Sequence, residues 1–315
     1  MSTSLRFILF QLFIIIPFLA GTRFRSRVPE DSGISRRLIR LNLIFIEPCI
    51  ALWSIWGLDL SRDLAFLPLS GLFLALAGMA AGWSVLTAMP LERRSRASFL
   101  ISSSIANHGF TMGAFICYLF LGERGLGLAF IFLSYFLIFV FTVIFPYADS
   151  VSSRHSGRRS TVWQYLFDLQ NMPLFAILLA LVLKSIHIPR PSILFPMDAL
   201  MAVSISIYYF SMGMSFTTSE IFSSLKPNVA LFAIKFVAVP AAMVCILAFV
   251  SLDPKVEGVI RIQSFMPAAI YSVIASVLFD LDTKLSSDLF VINTVAFLIF
   301  VLPLLFLFKG YILGI

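Results

Sequence analysis

Few side chains within the long apolar stretches of this chain can carry charge or exchange a proton. The ones placed to do chemistry are Glu47 beside Pro48, His108 between Asn107 and Gly109, Lys235, and Arg261. An ionisable group at membrane depth is costly unless it reaches a cavity, a partner or the interface. Lys235 lies well inside its stretch and calls for a polar destination. Arg261 precedes Pro267 by roughly 9 Å of helix and can snorkel to headgroups along its own stem. Glu47 is the deepest carboxylate; pairing with a cation and carrying a coupling proton both remain open to it. His108 suits proton coupling, and equally a neutral role hydrogen-bonded to freed backbone.

None of these groups forms a familiar catalytic set. The chain has no Walker motif, no His-Glu-x-x-His and no Gly-x-Ser-x-Gly. Cys49, Cys117 and Cys245 are odd in number, show no metal spacing and read as structural thiols. His155 falls in a polar linker and His187 near the end of an apolar stretch. Asp280-Leu-Asp282 resembles an acidic pair that holds a metal with a nucleotide sugar, but it lies in a short loop, where Ser287 and Asp288 read as helix caps. The expectation is no catalytic residue, no metal and no cofactor.

The elements that must position these residues are membrane helices. The 315 residues are 60% hydrophobic and 12% charged, with mean hydropathy +0.99, well beyond what one soluble core requires. Windows long enough to cross a bilayer fall at 5–21, 38–56, 64–89, 97–120, 126–147, 171–188, 192–216, 228–251, 256–279 and 288–308. The first is short enough to suggest a signal peptide. Arg23, Arg25, Arg27, Arg36 and Arg37 follow it, however, which is a stop-transfer arrangement that places the N-terminus outside. Ten spans then return the C-terminus to the same side, with most Lys and Arg in cytoplasmic loops. Anionic lipid accounts for the net charge of +7, and no nucleic-acid partner is needed.

A polar linker, residues 151–170, divides the spans five and five, into 1–150 and 171–315. An odd number per half makes the second half enter the membrane in the opposite sense, the inverted repeat of many secondary transporters. Segments 4 and 9 then correspond, and both are interrupted: one at Asn107-His108-Gly109, the other at Met266-Pro267-Ala268-Ala269. Pro267 cannot continue a helix undisturbed. No proline enforces the first interruption, and kinked but continuous helices remain the alternative for both.

Four sequence blocks carry a resemblance to a known family. They are Asn107-His-Gly109-Phe110-Thr-Met112-Gly113-Ala114, Leu121-Gly122-Glu123-Arg124-Gly125-Leu126-Gly127-Leu128-Ala129, Phe210-Ser-Met-Gly213-Met214-Ser215 and Phe265-Met266-Pro267-Ala268-Ala269-Ile270-Tyr271. In this order, with Lys235 in segment 8, they resemble the auxin efflux carriers, which include bacterial malate and malonate permeases. The resemblance implies an all-α polytopic fold of ten transmembrane helices in two inverted five-helix repeats, with interrupted helices 4 and 9 crossing at the midplane. It implies a substrate site lined by that crossover, where Asn107, His108, Gly109, Met266, Pro267, Ala268, Tyr271 and Lys235 are expected; their depth and charge leave Glu47 and Arg261 available for coupling or charge pairing. This sequence departs from the family where a proline is usual at Ala114 and an asparagine at Tyr271.

The expected function is that of a secondary transporter or facilitator of small carboxylates in the bacterial inner membrane. Its partners are the carboxylate and membrane lipid; the sequence leaves open a homo-oligomer and the coupling ion, H+ or Na+. The rival is an integral membrane enzyme acting on a lipid or isoprenoid, against which the scarcity of titratable pairs counts.

Overall fold

A computed structural model describes residues 3–27, 33–59, 61–152, 172–215 and 225–312. The linker from 153 to 170, with His155, lies outside the described residues. The described residues are helical and contain no strand, only one isolated bridge. In chain order the helices are α1 (Thr3–Arg25), α2 (Ile34–Trp56), α3 (Arg62–Leu86), α4 (Arg93–Ser104), α5 (Gly113–Phe132), α6 (134–151), α7 (Met172–Ser185), α8 (Met197–Ser215), α9 (Leu225–Leu247), α10 (Pro254–Ser264), α11 (Ile270–Leu278), α12 (Thr283–Leu307) and α13 (Lys309–Ile312). Among the described residues six stretches are long and apolar enough to cross a membrane: α2, α3, the run Gly113–Val151, α8 to Met214, α9 and α12; α7 is a shorter apolar helix.

Proline leaves a regular imprint on these helices. Pro48, Pro146, Pro240 and Pro303 each follow, after one intervening residue, a five-residue π turn: Asn42–Ile46, Val140–Ile144, Ile234–Ala238 and Phe297–Val301. A proline ring collides with the carbonyl four residues earlier and supplies no N–H. The helix widens there instead of breaking. In each case the residue before the proline bonds five residues back, as Glu47 N–H does to Asn42 O.

The chain divides into two compact units: Met1–Leu60, Ala114–Phe130 and Ser160–Ser219 form one, and Ser61–Gly113, Ile131–Arg159 and Glu220–Ile315 the other. In the first unit α1 lies along α8, and α7 packs on α2. Arg190, between α7 and α8, pairs with Glu123 and donates to Trp53 O at 3.2 Å; its guanidinium sits 4.8 Å from the centre of the Trp53 ring. Gly122 adopts φ 68°, a conformation that strains any residue with a Cβ, and it turns the backbone inside α5.

In the second unit α3 packs against α4, α6, α9 and α10, and α4 also meets α11 and α12. A Cβ on Gly78 would lie 2.2 Å from Ser103 O, so only glycine lets α3 press this closely on α4. Aspartates start two of the helices. Asp253 accepts from Lys255 N and Val256 N at the head of α10, followed by Pro254, and Asp282 accepts from Leu285 N at the head of α12. The last membrane helix thus begins before the expected residue 288. Its cap is Asp282, and Ser287 and Asp288 lie inside the helix, a correction to their expected capping role.

Candidate functional site

Both interruptions are true breaks, and both lie in the second unit. After Ser104 the backbone turns extended at Ile105 (φ −89°, ψ 137°), and α5 resumes helix at Gly113. After Ser264 the chain leaves the helix until Ile270, with Ala269 extended (φ −79°, ψ 146°). The two breaks pair with each other as an antiparallel bridge between Ala106 and Ala268. Asn107 N–H donates to Pro267 O at 2.7 Å, and Ala269 N–H to Ile105 O at 3.3 Å. Released backbone groups at membrane depth need partners, and each break supplies them to the other.

Side chains complete the accounting. Ala268 N–H donates to Asn293 Oδ1 at 2.9 Å, and Lys235 Nζ, only 2% exposed, donates to Ile105 O at 3.1 Å. His108 Nε2 lies 3.1 Å from Gln263 O and Nδ1 lies 2.7 Å from Tyr135 Oη. A carbonyl only accepts, so the neutral ring carries its proton on Nε2 and Tyr135 donates to Nδ1. Gln263 Nε2 returns a bond to His108 O at 3.2 Å. His108 is therefore held at both ring nitrogens.

Chemistry left over from this bonding faces the first break. Thr111 Oγ1 donates to Asn107 Oδ1 at 2.6 Å, and the Asn107 amide nitrogen has no partner among the described residues. Beside it, nothing lies within 4 Å of a Cβ placed on Gly109. At the second break Ala269 provides no side-chain cap to α11. A helix start without a cap presents free N–H groups and partial positive charge.

The family model for membrane transport proteins, that of the auxin efflux carriers, matches residues 8–306. The chain belongs to the auxin efflux carrier family. It is a membrane transporter and an integral membrane protein, and the enzyme reading is not favoured. No curated protein matches it.

Within this carrier, the residues singled out in the sequence separate into groups. Asn107, His108, Lys235, Pro267 and Ala268 share one bonded cluster; Gly109 borders its open side and Met266 is fully buried. Tyr271 sits on α11 with its ring 5.0 Å from that of Phe136. Arg261 pairs with Glu257 one turn earlier on α10, with Nε to Oε1 at 2.8 Å. Glu47 belongs to the first unit, where it accepts a hydrogen bond from Tyr208. Sequence reasoning passed over Gln263, Tyr135 and Asn293, which hold the breaks in place. A glutamine three residues from a break and an asparagine inside an apolar helix were the available signals.

Proposed function

We propose that this carrier moves small organic carboxylates across the bacterial cytoplasmic membrane by alternating access around the paired breaks. The observation that carries the reading is the unpartnered Asn107 amide nitrogen beside the open space at Gly109. A carboxylate accepts from such a donor and from the uncapped start of α11. Lys235 supplies a positive charge one backbone carbonyl away, Pro267 brings no N–H that would need a partner at the second break, and Tyr271 lines its helical continuation. Met266 and Ala268 shape the wall. The pairing of two broken segments supports ten spans in two inverted five-helix repeats, 1–150 and 171–315, with both termini outside.

Purified carrier in proteoliposomes tests this reading. Labelled mono- and dicarboxylates are offered with and without H+ or Na+ gradients. Saturable accumulation of an intact carboxylate, reduced by Asn107→Ala, is expected. Conversion of a lipid or isoprenoid without carboxylate flux would overturn the reading in favour of the enzyme.

A further inference from the structure

We propose that Asn42, Glu47, Ser204 and Tyr208 form a buried site for a monovalent cation, sodium, in the first unit. Glu47 is 4% exposed, and its one partner among the described residues is the Tyr208 hydroxyl on α8. A carboxylate this deep is strongly disfavoured as an anion unless positive charge joins it, and none of the described cations does. Asn42 is 0% exposed, and neither its amide oxygen nor its amide nitrogen has a partner. Buried amides are almost always satisfied, so one with both ends empty points to a species that the described residues do not provide.

The backbone brings these two residues together. The π turn of α2 bonds Glu47 N–H to Asn42 O, so the residues stand one wide turn apart on the same side of the helix. Both residues are buried, and α8 packs along α2 and its π turn. On α8, Ser204 is one turn from Tyr208 and shares its face. Its hydroxyl is also buried without a partner.

The donor set is a carboxylate, an amide oxygen and two hydroxyls. It is all hard oxygen, which suits an alkali or alkaline-earth ion and excludes a soft metal. One carboxylate balances one positive charge, so a divalent ion would leave a buried net charge. Complete burial of Asn42 and Ser204 favours a small, dehydrated ion. The site shares no residue with the paired breaks and does not depend on which substrate they carry.

Equilibrium binding of radioactive sodium to the full chain in nanodiscs, without carboxylate and with choline as the replacement ion, tests the inference. Wild type should show a saturable site that unlabelled sodium displaces and choline does not. Glu47→Gln preserves shape and an acceptor for Tyr208 but should weaken binding about tenfold or more, because site charge sets cation affinity. Ser204→Ala removes one buried hydroxyl and should weaken it several-fold. Absence of saturable binding to monodisperse wild type would overturn the site. So would wild-type affinity in Ser204→Ala, which also decides the matter if Glu47→Gln fails to fold. Carboxylate flux persisting in the absence of sodium binding would sink this inference while leaving the transport reading standing.

Discussion

Replacing Pro267 with alanine tests how the second break is held. The simplest expectation is that a helix former at this position lets α10 and α11 fuse. Fusion would sacrifice Asn107 N–H to Pro267 O, Ala269 N–H to Ile105 O, and Ala268 N–H to Asn293 Oδ1. At about 1 kcal/mol net for each bond, the loss is about 3 kcal/mol, comparable to what a restored turn could return. The break should therefore persist, and the new N–H becomes the difficulty. Its helical acceptor would be Gln263 O, which already receives Met266 N–H at 3.3 Å and faces His108 Nε2 at 3.1 Å. A buried N–H without a partner costs about 1–3 kcal/mol. Pro267→Ala should thus lose that much unfolding free energy, measured by SDS titration in mixed micelles, and His108→Leu should recover part of it by freeing Gln263 O. The double variant should be more stable than the sum of the singles by about 1–2 kcal/mol. Additivity within about 0.5 kcal/mol would refute the competition for Gln263 O.

Lys235→Gln should weaken carboxylate binding by roughly 10- to 100-fold, since it removes a buried charge and a charge-assisted bond of about 1.5–3 kcal/mol to Ile105 O. Arg261→Gln should change affinity less than about threefold, because its i,i+4 pair with Glu257 is worth about 0.3–0.5 kcal/mol; isothermal titration on both variants compares them, and unchanged affinity in Lys235→Gln would shift anion recognition to Asn107 and Tyr271. For the ten-span arrangement, a cysteine introduced at Ser2 should react with an impermeant thiol reagent added outside intact cells, and one at Ser156 should not; the reverse pattern would invert the topology.

The interruptions were legible because their residues are poor helix formers in otherwise apolar runs, and Pro267 acts through its own covalent structure. The first break extends back to Ile105, which no local signal marks; bonds from Lys235 and Ala269 draw its carbonyl out of the helix. Depth in the sequence predicted that Lys235 needs a polar destination but could not say that a carbonyl 130 residues earlier provides it. Gln263 and Asn293 were passed over for the same reason, since their value lies in partners distant along the chain. Arg261 differs: Glu257 stands four residues before it, and the helical spacing alone contained the pair. The caps were readable in kind but not in place, because Asp282 and Asp288 look alike until the start of α12 is fixed by packing.

The bridge between Ala106 and Ala268 is fastened by main-chain atoms of Ile105, Asn107, Pro267 and Ala269. Such a joint does not depend on the identity of the side chains that project from it, so residues such as Gly109, Thr111 and Tyr271 can be exchanged while the fastening endures. It does depend on register. One residue inserted into either break would displace donor from acceptor at both bonds and turn the following half-helix by about 100°. Relatives with new cargo should therefore diverge at these positions by replacement, and directed evolution of this carrier should draw its libraries from point changes and keep the length of both breaks constant.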